Sequence, residues 1–84
     1  MTDEELRNTV LRILGDIAPD IDTTKLEPDV TYRDQFDFDS MDFLNFAIAL
    51  HKEFKIDIPE TEYPQLSTLD GAVAYLKSRQ NAAQ

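Results

Sequence analysis

The segment 39–54 constrains the fold more than any other part of the sequence, because apolar side chains surround most of it. Drawn as a helix, the segment leaves only one narrow polar stripe. An apolar arc this wide is typical of a helix that is buried against more than one neighbour. The segment is therefore predicted to be the central helix of a small bundle. Its apolar side chains are Met41, Phe43, Leu44, Phe46, Ala47, Ile48, Leu50 and Phe54.

Periodic segments on either side complete an all-α prediction, a four-helix bundle. Residues 3–18 carry apolar side chains at helical spacing, with polar side chains opposite. Residues 60–66 predict a short third helix, and residues 68–80 predict a last helix with Ser67 as the expected N-cap. Nothing repeats along the 84 residues, so the whole chain, 1–84, is predicted to form one domain.

A long loop separates the first helix from the central one. Residues 19–38 show no sustained period and are rich in proline, aspartate and threonine. A loop of about twenty residues is long for a compact domain and needs contacts that hold it in place. Its apolar side chains are expected to pin it against the helices; they are Ile21, Leu26, Val30, Tyr32, Phe36 and Phe38.

The charge of the chain excludes several kinds of partner. Eight basic residues stand against seventeen acidic ones, which gives a net charge of −9. Nucleic acids and anionic membranes are bound through Lys/Arg patches, so neither is an expected partner, whereas basic protein surfaces are. No apolar run approaches the roughly 20 residues that span a bilayer. The acidic N-terminus is unlike a signal peptide, so we expect a cytoplasmic protein. We also expect a monomer.

Few residues could support catalysis or metal binding. The chain has no cysteine and therefore no thiolate nucleophile, thiolate metal ligand or disulfide. His51 is the single histidine and falls inside the central helix, where a surface role is the usual one. The acidic cluster Asp34, Asp37, Asp39 and Asp42 lacks the spacing, the glycine and the terminal glutamate of an EF-hand loop. No catalytic residue and no metal site are predicted.

The remaining feature is the string Asp39-Ser40-Met41-Asp42, which opens the central helix. Read locally, it is an ordinary helix start, with Asp39 or Ser40 as the N-cap and Asp42 in the first turn. Short strings of this kind are common. Taken alone, the string therefore favours the local interpretation.

The order of features along the chain resembles that of the acyl carrier protein family. A helix, a long loop, an Asp-Ser-apolar-Asp string opening an apolar helix, a Phe-x-x-x-Ile-Pro segment and a last helix follow one another between residues 6 and 76. The family's hallmark is a serine in a D-S-(L/M) string that opens its second helix, and Ser40 matches it. The resemblance is carried by the runs 36–42, 56–59 and 67–76.

The resemblance implies that Ser40 carries 4′-phosphopantetheine through a phosphodiester. It also implies that acyl groups are bound to the thiol of this arm as thioesters. A phosphopantetheinyl transferase would attach the arm from coenzyme A. Acyl-loading and acyl-processing enzymes with basic surfaces would be the other partners. A phosphodiester on Ser40 would face free backbone N–H groups and the positive end of the helix dipole. The residues that match the family's docking face by position are Asp39, Met41, Asp42 and Glu53.

Several residues depart from the family pattern. Asp37 stands where a glycine is common. Asn45, His51 and Lys52 stand where fatty-acid carriers usually have acidic residues. These departures favour a specialised fatty-acid, lipid or polyketide-type pathway over the general one.

The sequence leaves the cargo open. Because the central helix is apolar almost all round, the bundle is expected to shelter part of an acyl chain, unless these side chains only fill a core. An aminoacyl or peptidyl carrier fits the same features. An acidic helical adaptor that binds proteins without a prosthetic group is the alternative from another functional class. The expected cavity is lined by Leu44, Phe46, Ile48 and Leu50.

Overall fold

Helices account for all the regular structure between residues 2 and 82, the part of the chain that the computed structural model describes. The all-α prediction is therefore confirmed for these residues. None of these helices combines the length and the hydropathy needed to cross a bilayer. In chain order, the elements are α1 (Asp3–Ile17), the 3₁₀-helix η1 (Thr23–Lys25), α2 (Tyr32–Gln35), α3 (Ser40–Phe54), the 3₁₀-helix η2 (Glu60–Leu66) and α4 (Leu69–Ala82).

The first helix, α1, begins with a capping box. The Glu5 carboxylate accepts a hydrogen bond from the Thr2 N–H (2.9 Å), and the Thr2 hydroxyl accepts one from the Glu5 N–H (3.1 Å). The bond from the Thr2 backbone lowers the pKa of Glu5, because it stabilises the charged form. α1 packs against both α3 and α4. Its buried side chains lie on one face: Leu6, Val10, Ile13 and Leu14.

The central helix, α3, buries one side and exposes the other. The buried side chains are Phe46, Ala47 and Leu50. The exposed large apolar side chains are Met41, Leu44 and Ile48. The expectation of burial almost all round is therefore wrong for the outer face of α3. A chain of this size has too few elements to cover a helix on every side.

The loop between α1 and α3 is held by hydrogen bonds as well as by apolar contacts. The Gln35 amide donates to the carbonyls of Glu27 and Val30 and accepts a hydrogen bond from the Glu27 N–H. Each of these three hydrogen bonds is 2.8 Å long. The Tyr32 N–H donates to the Ser67 carbonyl (3.1 Å), which joins the loop to the start of α4. Most of the apolar side chains that were expected to hold the loop against the helices do contact the core: Ile21, Leu26, Tyr32, Phe36 and Phe38.

The third helix and the start of α4 differ in detail from the prediction. Residues 60–66 form a 3₁₀-helix with Pro64 inside it, and Pro64 has no N–H to donate to an α-helical ladder. Ser67 is not the N-cap of α4, because its hydroxyl donates to the Pro64 carbonyl (2.8 Å). Thr68 caps instead, since its Oγ1 accepts a hydrogen bond from the Gly71 N–H (3.0 Å). The N-cap lies one residue later than predicted.

Gly71 is required by a close approach between η2 and α4. A Cβ at this position would lie 2.5 Å from the Gln65 carbonyl oxygen and 2.9 Å from Thr68 Oγ1. Gly71→Ala is therefore expected to lower the free energy of unfolding by about 1–3 kcal/mol, although alanine favours helices. Urea denaturation of the two proteins measures the difference.

Gly15 in α1 provides the matched control, because a Cβ there would meet no atom within 4 Å. Gly15→Ala is expected to raise the free energy of unfolding by about 0.5–1 kcal/mol through helix propensity alone. Equal increases in the free energy of unfolding for Gly71→Ala and Gly15→Ala would show that the Gln65 carbonyl of η2 does not lie this close to α4.

Candidate functional site

Ser40 is the first residue of α3, and its side chain is exposed. The residue before it, Asp39, is the N-cap: Asp39 Oδ1 accepts a hydrogen bond from the Asp42 N–H (2.8 Å). Asp42 Oδ2 accepts one in return from the Asp39 N–H (3.4 Å), which completes a capping box. The local interpretation of this string is confirmed, with Asp39 rather than Ser40 as the cap. The cap does not use the Ser40 hydroxyl.

The helix start gives the Ser40 hydroxyl an environment suited to a phosphate group. The first backbone N–H groups of a helix have no acceptor within the helix, and they form the positive end of its dipole. Ser40 and Met41 contribute such groups, whereas the Asp42 N–H is used by the cap. The carboxylates of Asp39 and Asp42 act in the opposite direction, because they repel a further anion. An anion on Ser40 would therefore gain from a nearby cation.

A groove of about 620 Å³ opens beside Ser40, between α2, the start of α3 and η2. Much of its wall is aromatic. Among the residues of the wall within the described range 2–82, Arg33 is the only basic one, and it is also the only basic residue between Lys25 and His51 in the sequence. Arg33 is thus the basic side chain that shares the groove with Ser40. The groove is lined by Thr31, Tyr32, Arg33, Asp34, Phe38, Ser40, Phe43, Tyr63, Pro64 and Ser67.

Tyr32 anchors the groove in the core. Its ring lies against the rings of Phe38 and Phe46, with 5.4 Å between the centroids of each pair. Its side chain is 1% exposed, and its hydroxyl is buried without a hydrogen-bond partner among residues 2–82. Burial raises the pKa of this hydroxyl far above its ordinary range. The hydroxyl is therefore a neutral, unpaired polar group whose burial destabilises the fold.

Tyr32→Phe is expected to raise the free energy of unfolding by about 1 kcal/mol near neutral pH, because it removes a buried polar group that has no partner. The gain should grow above about pH 10, where the unfolded chain ionises Tyr32 while the folded protein keeps it neutral. In that pH range, the ionisation of Tyr32 in the unfolded chain lowers the free energy of unfolding of the wild type by about 1.4 kcal/mol per pH unit. Urea denaturation at neutral and alkaline pH measures both effects. A variant less stable than the wild type under both conditions would reveal a partner for the hydroxyl.

The structure does not bring together the four residues expected to line an acyl cavity. Phe46 and Leu50 are buried in the core, whereas Leu44 and Ile48 stand on the exposed face of α3. The groove beside Ser40 is lined by none of the four. Its aromatic wall comes from residues that the sequence did not single out for a cavity: Tyr32, Phe38, Phe43 and Tyr63.

For one of these residues, Phe43, the sequence itself indicated a place beside Ser40. Phe43 lies three positions after Ser40, so the two share a helix face. For Tyr63 the sequence contained no such indication, because the position of Tyr63 depends on how η2 folds back onto α3. The rings of Phe43 and Tyr63 contact each other, with 6.1 Å between their centroids.

The four residues expected at a docking face lie in two places. Asp39, Met41 and Asp42 surround Ser40 at the start of α3. Glu53 lies near the other end of the helix, where its carboxylate accepts a hydrogen bond from the Arg12 guanidinium of α1. Glu53 is therefore already partnered, and it is separated from the other three by most of the length of α3.

Comparison with known proteins gives a consistent picture. A family model described as the phosphopantetheine attachment site matches residues 4–76. The acyl carrier protein of Lactobacillus johnsonii is 33% identical over 81 residues, which cover 96% of this chain and 100% of that protein. The acyl carrier protein of Lactobacillus acidophilus is 30% identical over 80 residues, or 95% of this chain and 99% of that protein. Among solved structures, the acyl carrier protein from Enterococcus faecalis matches with a TM-score of 0.78 and 26% identity, covering 94% of this chain and 99% of that one.

Proposed function

The chain belongs to the acyl carrier protein family, and on that premise we propose that Ser40 is the residue that holds the 4′-phosphopantetheine of this family. Acyl carrier proteins are carriers and not catalysts. The prosthetic group supplies the thiol that binds acyl groups as thioesters, which a chain without cysteine cannot supply itself. The observation that carries the proposal is the position of Ser40, an exposed hydroxyl at the first residue of α3 and at the side of a groove.

The residues around Ser40 fit an attached phosphodiester. The backbone N–H groups of Ser40 and Met41 would face its oxygens, and the Arg33 guanidinium would balance its charge from the wall of the groove. The neighbouring carboxylates are engaged in the cap of α3, which keeps them in fixed positions. The aromatic wall of the groove, with Phe43 and Tyr63, offers an apolar surface to the part of the cargo closest to the arm.

The proposed partners follow from the surface around Ser40. A phosphopantetheinyl transferase and the enzymes that load and process acyl groups would contact Asp39, Met41 and Asp42 with basic and apolar side chains. Glu53 pairs with Arg12 through one carboxylate oxygen, and its exposed second oxygen would be open to a basic group of the partner. A cytoplasmic location and a monomeric state stay predictions.

The outer face of α3 supports a specialised pathway. Asn45, His51 and Lys52 are exposed there, so a partner surface made to pair with a row of carboxylates would meet neutral and basic groups. Like-charge contacts of this kind can oppose association by several kcal/mol when they are desolvated. The cargo is proposed to be an acyl group, with aminoacyl and peptidyl groups as alternatives that the same site could hold.

The test is the intact mass of the purified protein after incubation with coenzyme A and a phosphopantetheinyl transferase of broad specificity. We expect one added arm per chain. A protein that stays unmodified, next to an ordinary acyl carrier protein that is modified completely in the same reaction, would favour the acidic adaptor and reject the proposal. Loading of the modified protein with acyl or aminoacyl groups by purified ligases then distinguishes the two kinds of cargo.

A further inference from the structure

The groove beside Ser40 gathers half of the aromatic side chains of the protein. The sequence has five phenylalanines and three tyrosines, and four of these residues line the groove. Phe43 of α3 and Tyr63 of η2 are half-buried, and their rings meet at an interplanar angle of 76°. The other two, Tyr32 and Phe38, are buried. Rings arranged in this way offer edges and faces to a further ring.

The core next to this wall is closed. The rings of Phe38 and Phe46 lie 6.4 Å apart between centroids, and each of them lies against Tyr32. None of the three residues is more than 4% exposed. Because protein interiors are packed as densely as organic crystals, a long alkyl chain could enter the bundle here only by displacing these rings. A compact group that stays between the walls of the groove displaces nothing.

The charged groups of the site do not favour an anionic cargo. Arg33 and Asp34 both line the groove, and their charges are opposite. The carboxylates of Asp39 and Asp42 lie next to Ser40, where they repel a second carboxylate. A cargo without a negative charge avoids this repulsion. The groove volume of about 620 Å³ is typical of a site for a small molecule.

We propose that the groove selects an acyl cargo that carries an aromatic ring, and that this ring lies against Phe43 and Tyr63. An edge-to-face or offset-stacked contact between two rings favours an arene over a saturated group of equal size about two- to tenfold. A ring also loses less conformational freedom on binding than a flexible chain does. This inference rests on the proposed function, because the ring reaches the groove only on an arm attached to Ser40.

Attachment to Ser40 makes a weak contact sufficient. Ser40 itself lines the groove, so the cargo and its site belong to one molecule. A short flexible tether gives an effective concentration of about 1 mM. A free ring with a dissociation constant of about 0.1 mM would then occupy the groove for about nine-tenths of the time when tethered. A contact this weak still releases the cargo to a partner enzyme.

The experiment compares two cargoes of equal size on the same carrier. A phosphopantetheinyl transferase of broad specificity transfers the acylated arm from phenylpropanoyl- or cyclohexylpropanoyl-coenzyme A. In this step the Ser40 oxygen bonds to phosphorus, its proton passes to solvent, and the adenosine bisphosphate half of coenzyme A leaves. Cleavage of each thioester by hydroxylamine is timed and divided by the rate for the same acyl group on free pantetheine.

We expect the phenyl form to be protected about threefold more than the cyclohexyl form, as a fivefold difference in affinity would give. Nuclear Overhauser contacts are expected between the protons of the cargo ring and those of the Tyr63 ring. Both measurements use the wild-type protein, so they do not depend on whether a variant folds.

Variants assign the preference to the rings of the groove. Phe43→Leu and Tyr63→Leu each remove one ring and keep an apolar side chain, and each should remove most of the difference between the two cargoes. Phe54→Leu is the matched control, because Phe54 is a half-buried ring of α3 that packs against the core outside the groove wall. It should leave the difference at the wild-type value. Melting curves show whether each variant folds.

The outcomes separate the inference from the function on which it rests. A protein that accepts no acylated arm rejects the proposed function. A protein that accepts both arms and protects them equally rejects the aromatic preference alone, as does a difference that Phe54→Leu reduces as much as Tyr63→Leu. A decanoyl thioester that is protected more than the phenylpropanoyl one would show that an alkyl chain enters the bundle, and would overturn the inference.

Discussion

Ser40→Ala is expected to abolish modification by a phosphopantetheinyl transferase completely. The hydroxyl is the group that would form the phosphodiester, and alanine offers no nucleophile in its place. The N-cap of α3 is Asp39, so the helix start does not depend on the Ser40 side chain. The variant should therefore fold with nearly wild-type stability while gaining no mass. Intact mass spectrometry and thermal melting measure the two properties on the same samples.

Ser67→Ala is the matched control for this prediction. Ser67 lines the same groove, so a transferase that modified any hydroxyl near the groove could reach it. Its hydroxyl donates only to the Pro64 carbonyl, and the variant should be modified as fast as the wild type. An arm found on Ser40→Ala, or lost from Ser67→Ala in a folded protein, would show that the attachment residue has been misassigned.

Phe46→Ala is expected to lower the free energy of unfolding by about 3–5 kcal/mol, which is a large part of the total stability of a domain this small. The Phe46 ring is fully buried, and it lies against the rings of Tyr32, Phe38 and Phe43. Truncation removes these contacts and leaves a cavity that the short chain cannot close. Urea denaturation of the unmodified protein measures the loss.

Leu44→Ala provides the comparison, because Leu44 lies on the same helix but is 40% exposed. It should cost less than about 1 kcal/mol, since little packing is lost and alanine favours helices. The two residues were expected from the sequence to line one acyl cavity. Similar losses of stability at both positions would mean that the outer face of α3 is covered in solution, which would contradict the fold.

The bounds of the long helices followed from local interactions. The predicted start of the central helix at residue 39 differs by one position from α3, because Asp39 is its cap. Capping by Asp39 and Asp42 uses atoms at most three residues apart, so the sequence alone contains the information. The position of Ser40 at a helix start also follows from this string, whereas the choice of Asp39 rather than Ser40 as the cap came only from the structure. The N-cap of α4 was assigned to Ser67 instead of Thr68, because both residues can cap and the choice depends on where the chain turns after η2.

The surroundings of the site were decided only by the tertiary structure. The groove beside Ser40 exists because η2 brings Tyr63 against Phe43. Gly71 is needed because the Gln65 carbonyl comes close to α4. Leu44 and Phe46 are equally apolar in sequence, yet one is exposed and the other buried. Periodicity shows which side chains share a face, but burial depends on which faces find a neighbour, and this chain has too few helices to cover them all.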